Sequence, residues 1–163
     1  HDALTGLANR VALQDKIAEA DAHRRRHAEP FSLFLLDLDR FKLVNDTFGH
    51  PVGDALLVDV ASRLKQSLRQ TDFLARLGGD EFVLLLGDVQ SDLAVTQLLD
   101  RLLQDIAQPF ALKGGSATVS ASIGVTLYPH DLSAPEQLLE HADQAMYQAK
   151  NSGKSRYYLY SQM

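Results

Sequence analysis

The sequence predicts an α+β sandwich, a central and mostly antiparallel sheet with helices on both faces. Three observations carry this. Two apolar runs, 72–77 and 81–86, flank Gly78-Gly79 in the pattern of a tight hairpin. Three stretches, 52–69, 92–107 and 135–151, place apolar residues at helical spacing. The segment 116–127 is rich in β-branched residues and reads as one long strand. Strand and helix signals do not alternate as βαβ units, so a doubly wound parallel sheet fits less well.

In chain order, 10–27 is a mostly polar helix. Its end carries Arg24-Arg25-Arg26, read as a solvated terminus that complements the helix dipole. Residues 31–37, Phe-Ser-Leu-Phe-Leu-Leu-Asp, are an apolar run ending in an acid, the pattern of a buried central strand. Between that strand and the helix 52–69, Asn45, Asp46 and Gly49 are ordinary turn residues, so a loop is the plain alternative to a binding role there. In the helix 52–69, Leu57, Val60, Leu64 and Leu68 form one stripe; in 92–107, Val95, Leu98, Leu102 and Ile106 do. The hairpin lies between these helices. The long strand, the helix 135–151 and a short strand 156–160 complete the chain.

The 163 residues suit one domain, and 45% hydrophobic content is enough for a core. No cysteine is present, which excludes disulfides and thiolate metal sites and fits a cytoplasmic compartment. No apolar run approaches the roughly 18–20 residues of a membrane span. The net charge of −5 argues against a nucleic-acid binder. The chain opens at His1, so a fragment of a longer protein is expected, with room upstream for a membrane anchor.

Four constellations carry chemistry. In Asp37-Leu38-Asp39 the alternation of a strand puts both acids on one side, and two acids at the end of an apolar strand need a cation. A hard divalent ion such as Mg²⁺ prefers those oxygens; a capping acid is the plain alternative. Gly78-Gly79-Asp80-Glu81-Phe82 puts two more acids just after a two-glycine turn, where they could share that metal. Lys42, Asn45, His50 and Asp54 form a third group around Gly49 and Gly53. A carboxylate can accept from guanine N1–H and the 2-amino group, and an Asn amide can serve its N3 or N2 edge. Lys150, Gly153, Lys154 and Arg156 form a basic helix end that could clamp a triphosphate.

Together these residues resemble the GGDEF family of diguanylate cyclases. Asp2 to Arg10 is similar to D-x-L-T-G-L-x-N-R, and Asp37 to Asp46 to D-x-D-x-F-K-x-x-N-D. Gly49 to Asp54 resembles G-H-x-x-G-D, and Gly78 to Phe82 is the intact signature. Ser122-Ile123-Gly124-Val125 looks like the S-x-G-[IV] strand, and Ala142 to Lys150 like A-D-x-A-[LM]-Y-x-A-K. Lys154 stands where the family often has Arg, and Ser155 where Asn is common.

The resemblance implies a fold like the palm of nucleotide cyclases and polymerases. It implies condensation of two GTP into cyclic di-GMP, with Mg²⁺ (or Mn²⁺) as cofactor and a homodimer as the active form. By the same carry-over, Asp37, Asp80 and the Leu38 carbonyl hold the metal. Asn45, His50, Asp54, Gly78, Gly79, Lys150 and Lys154 bind GTP. Lys42, Asp80 and Glu81 act in catalysis, with Asp80 or Glu81 assisting deprotonation of the 3′-hydroxyl. Arg69-Gln70-Thr71-Asp72 matches the family's R-x-x-D motif, five residues before Gly78, with Arg101 as a second cation. It implies a site where cyclic di-GMP inhibits its own synthesis. The chain end resembles the join to a phosphodiesterase EAL domain, so linked sensory or EAL domains are expected. The alternative is a catalytically silent module that binds GTP or cyclic di-GMP.

Overall fold

A computed structural model describes residues 1–27, 29–87, 91–128 and 131–162. The elements are α1 (Arg10–His27), β1 (Phe31–Asp39), α2 (Phe41–Phe48), α3 (His50–Ser67), β2 (Phe73–Gly78), β3 (Glu81–Gly87), α4 (Asp92–Ile106), β4 (Phe110–Leu112), β5 (Gly115–Ala117), β6 (Ser120–Tyr128), α5 (Pro135–Asn151) and β7 (Arg156–Leu159), ending in a 3₁₀ turn, Tyr160–Gln162. The main sheet has the order β2-β3-β1-β6-β7. Its first three pairings are antiparallel and β6–β7 is parallel. This is the expected sandwich of a mostly antiparallel sheet covered on both faces.

Side chains alternate along β1 and divide the core in two. Phe34, Leu36 and Leu38 pack with Phe82, Leu84, Ile123 and Val125 under α3 and α4. Leu33 and Leu35 pack with Val83, Leu85, Leu13, Ile17, Leu138 and Met146 under α1 and α5. Helix α5 lies directly on β6 at Gly124, where a Cβ would sit 1.9 Å from the Ala142 carbonyl oxygen and 2.2 Å from the Met146 nitrogen. Only glycine lets the helix approach that closely. Across the sheet, the Arg63 guanidinium donates to the carbonyls of Asp105, Gln108 and Pro109 and lies 3.5 Å from the centre of the Phe110 ring. It thereby satisfies carbonyls that the end of α4 leaves open.

Four expectations need correction. Residues 41–48 form α2 rather than a loop, with Val44 buried against the α3 side of the core. The run 116–127 is not one strand: a turn at Lys113-Gly114 folds β4 on β5, and β6 starts at Ser120 after Val119 turns into the core. In α4 the buried stripe passes through Leu99 rather than Leu98, because the helix turns its 95–99–102–106 face to the sheet. Arg24 is not solvated. It is 4% exposed, bonds Asp21, and donates to the carbonyls of Asp131, Leu132 and Ser133, from 107 to 109 residues away. Arg25 and Arg26 are exposed as expected. Among the described residues no helix is long and apolar enough to cross a membrane.

Candidate functional site

The acidic residues converge where β1 ends beside the β2–β3 hairpin. Gly78 pairs with Glu81 across a two-residue loop of Gly79 and Asp80. Gly78 and Gly79 have φ of 141° and 51°, values that favour glycine. Asp37 pairs with Glu81 in the β1–β3 register, and the Leu38 N–H donates to the Asp80 carbonyl at 3.3 Å. Asp37, Leu38, Asp80 and Glu81 therefore share one corner.

Two contacts brace the hairpin. Arg76 donates to the Gly79 carbonyl through Nε and Nη2, at 3.0 and 2.8 Å, and through Nη1 to Asp2 at 2.9 Å. Asp2 also accepts from the Thr5 N–H and hydroxyl, at 2.8 and 2.6 Å. Burial pushes the Asp2 carboxyl up, but the Thr5 bonds and the Arg76 charge hold it below its ordinary value. The opening motif thus acts as a support for the signature turn. Asp2 belongs to the opening motif, and Arg76 lies outside all four constellations. A basic residue two positions before the glycines was the available signal.

Asp37 and Asp39 face the same side of β1, as strand alternation requires, but their surroundings differ. Asp39 accepts from Ser120 at 2.5 Å, Ser122 at 2.7 Å, Lys150 at 2.8 Å and the Ser155 N–H at 3.0 Å. Burial pushes its carboxyl up, and these donors outweigh it and hold it low. Asp37 has no such shell. Its Oδ1 is buried without a hydrogen-bond partner, 3.7 Å from the Lys150 Nζ. Burial first, then the facing Asp80 carboxyl, push Asp37 up to about 8 against the pull of Lys150. Glu81 is raised by burial and by the charges of Asp143 and Asp80, with Arg10 and Lys150 pulling the other way. Asp143 and Arg10 are neighbours the sequence reading did not place.

A buried carboxyl with one unpartnered oxygen, facing a second carboxyl, is suited to a cation. Among the described residues no group of three or more His, Asp or Glu side chains is arranged to hold a metal ion. Two carboxylates and a carbonyl nonetheless fit Mg²⁺, which keeps waters and takes substrate phosphates for its remaining positions. The Leu38 carbonyl accepts from Lys150 at 3.0 Å, which leaves its second lone pair.

The remaining candidates fall in three places. Lys42 and Asn45 lie on α2, which leaves β1 directly after Asp39; Lys42 is exposed and Asn45 half-buried. His50 and Asp54 are exposed in the first turns of α3. Lys150 reaches the end of β1, and Lys154 follows in a turn where it and Ser155 hold φ of 64° and 51°. Arg69 and Asp72 sit at the opposite end of β2 from the signature. Five strand residues separate them from it, about 20 Å from Asp72 to Gly78. Arg69 donates to Asp72 at 3.3 Å and to the Gly87 carbonyl at 3.0 Å. Arg101 donates to the Ser67 carbonyl at 2.9 Å. It lines a groove of about 610 Å³ between α3 and α4, whereas Arg69 and Asp72 line a neighbouring one of about 310 Å³.

Fold and site together are those of an α+β domain with a mostly antiparallel central sheet and its acids at a strand end and a hairpin. The chain belongs to the GGDEF family: the family described as diguanylate cyclase, GGDEF domain, matches residues 1–156. It is 42% identical over 157 residues to the bifunctional diguanylate cyclase/cyclic di-GMP phosphodiesterase MucR of Pseudomonas aeruginosa, covering 96% of this chain and 23% of MucR. The GGDEF domain of TpbB from the same organism superposes with a TM-score of 0.94 at 38% identity, covering 98% of this chain and 93% of that one. The GGDEF domain of DgcB from Caulobacter crescentus, solved in complex with c-di-GMP, superposes with a TM-score of 0.89 at 29% identity, covering 98% and 92%. The chain spans about a quarter of MucR and about a third of the diguanylate cyclase TpbB.

Proposed function

We propose that residues 1–163 are a single GGDEF domain of a longer protein and that it is a Mg²⁺-dependent diguanylate cyclase. It joins two GTP into cyclic di-GMP. Each 3′-oxygen bonds to the α-phosphorus of the other nucleotide as pyrophosphate leaves. The observation that supports this best is the Asp37–Asp80 pair, two facing carboxyls with Asp37 pushed up to about 8 and short of donors. Asp37, Asp80 and the Leu38 carbonyl would hold Mg²⁺ (or Mn²⁺), which lowers the pKa of an attacking hydroxyl and steadies the departing pyrophosphate.

The chain's own groups do the rest. Glu81 accepts the 3′-hydroxyl proton: a carboxyl raised by burial and by Asp143 is a better base than an ordinary one. Lys42, Lys150 and Lys154 bind phosphates, with Lys42 offsetting charge in the transition state. The bare backbone of Gly78 and Gly79 admits the nucleotide closely. Asn45 and Asp54 read the base, with His50 at the rim.

One chain supplies one base pocket and one phosphate clamp, so turnover needs two copies facing each other. Cyclic di-GMP bound at Arg69 and Asp72, with Arg101 beside them, would hold those copies apart. Incubation of the protein with GTP and Mg²⁺, followed by chromatography, tests the reading. Cyclic di-GMP and pyrophosphate are expected. Tight GTP binding without product would leave a silent regulatory module instead.

A further inference from the structure

Helices α2 and α3 meet at Gly49, whose φ of 91° and ψ of 161° break the helical path. Backbone bonds still cross the break at four-residue spacing. The Gly49 N–H donates to the Asn45 carbonyl at 2.8 Å, and the Gly53 N–H to the Gly49 carbonyl at 3.1 Å. Residue 53 is thereby held against residue 45. A Cβ on Gly53 would lie 1.7 Å from the Asn45 Oδ1, 2.9 Å from its Cγ and 3.3 Å from the Phe41 Cζ. The side-chain oxygen of Asn45 thus fills the space that any side chain at 53 would need. That oxygen is buried and has no hydrogen-bond partner. Its neighbour is the Cα of Gly53, which offers at most a weak C–H contact. Glycine is a poor residue for a helix interior. Its presence at this buried position is explained by the amide that occupies the space.

We propose that Gly53 is a positioning residue for base recognition: it seats the Asn45 oxygen and turns the amide NH₂ outward as the group offered to the base. This rests on the reading of Asn45 and Asp54 as the guanine-binding pair, and decides which end of the amide takes part. A carboxamide is planar, so an oxygen directed at Gly53 directs the NH₂ away from it. That NH₂ can only donate. Of the two groups on guanine's N3/N2 edge, N3 accepts and the 2-amino group donates, so the amide meets N3. Adenine carries the same acceptor. Asn45 therefore adds affinity for either purine, and discrimination falls to Asp54, whose carboxylate accepts from guanine N1–H and the 2-amino group.

The test is a double-mutant cycle read by calorimetry, with the α,β-methylene analogues of GTP and ITP as non-reacting ligands. Gly53→Ala should weaken the GTP analogue at least tenfold in the otherwise unaltered protein and less than twofold in an Asn45→Ala background. The loss should be the same within about twofold for the ITP analogue, which lacks the 2-amino group. Equal losses in both backgrounds, or no loss, would overturn the positioning role. A loss confined to the GTP analogue would overturn the assignment of the NH₂ end. Failure of the unaltered protein to bind either analogue would overturn the guanine-site reading itself, a result distinct from the other two.

Discussion

The Lys150 ammonium donates to the Asp39 Oδ1 at 2.8 Å and stands 3.7 Å from the Asp37 Oδ1, so one cation serves two acids whose surroundings differ. Asp39 has four donors and is a structural anchor between β1, β6 and the turn after α5. Asp37 has a buried oxygen without a partner and a second carboxyl in front of it.

That contrast separates two substitutions. Asp80→Asn removes a like charge from beside Asp37, so product formation should disappear while Tm without nucleotide stays unchanged or rises. Asp39→Asn leaves Lys150 facing a neutral group in a buried shell and should cost on the order of 3 kcal/mol of stability. Chromatography of the reaction and thermal unfolding check both; turnover near that of the unaltered protein in Asp80→Asn would remove Asp80 from the site.

Base selectivity is expected to be large. A site that pairs with guanine's donors leaves polar groups unpaired when adenine enters, so GTP should bind at least roughly a hundredfold tighter than ATP. Asp54→Ala should weaken GTP far more than it weakens free pyrophosphate. Calorimetry that finds GTP and ATP equal would contradict the role of Asp54.

Turnover per subunit should rise with protein concentration, because each product requires two domains. Fusing a dimerising helix ahead of His1 should raise the rate at low concentration. Initial rates across several decades of dilution are the measurement, and a flat profile would indicate either a stable dimer or a mechanism within one chain.

Product feedback should depend on Arg69. Its side chain is 59% exposed, and its guanidinium, held toward Asp72 and the Gly87 carbonyl, can grip a phosphate or a guanine edge as a fork. Arg69→Ala should raise the final yield of cyclic di-GMP without changing the initial rate. Binding of cyclic di-GMP to that variant as tight as to the unaltered protein would place the inhibitory site elsewhere.

Acid stability should depend on Asp131. Burial pushes its carboxyl up, but bonds from Ser133, Thr126 and His141 hold it at about 2, against an ordinary 3.8. Between those values the unfolded chain binds more protons than the folded one. The stabilisation is therefore present above 3.8 and lost as pH falls toward 2. Thermal unfolding from pH 5 to 2 should show a steep fall in Tm, shallower in Asp131→Asn.

What the sequence determined by itself is local in origin. The hairpin around Gly78-Gly79, the central strand that carries Asp37 and the stripe of Leu57, Val60 and Leu64 follow from periodicity and turn chemistry, which neighbouring residues set among themselves. Motif spacing marked the acids, the lysines and Arg69-x-x-Asp72 for the same reason. The tertiary structure decided matters that depend on distant partners. Arg24 is buried because carbonyls 107 to 109 residues away accept hydrogen bonds from its N–H groups. Arg76 braces the signature turn through Asp2, 74 residues back. Asp39 became a structural acid and Asp37 the open one because Ser120, Ser122 and Ser155 reach only the former. The packing of Asn45 on Gly53 spans only eight positions, yet it too needed the break at Gly49 that sets α3 against α2. Burial and hydrogen-bond satisfaction are set by where the chain folds back, and no local pattern encodes which donor arrives at which acid.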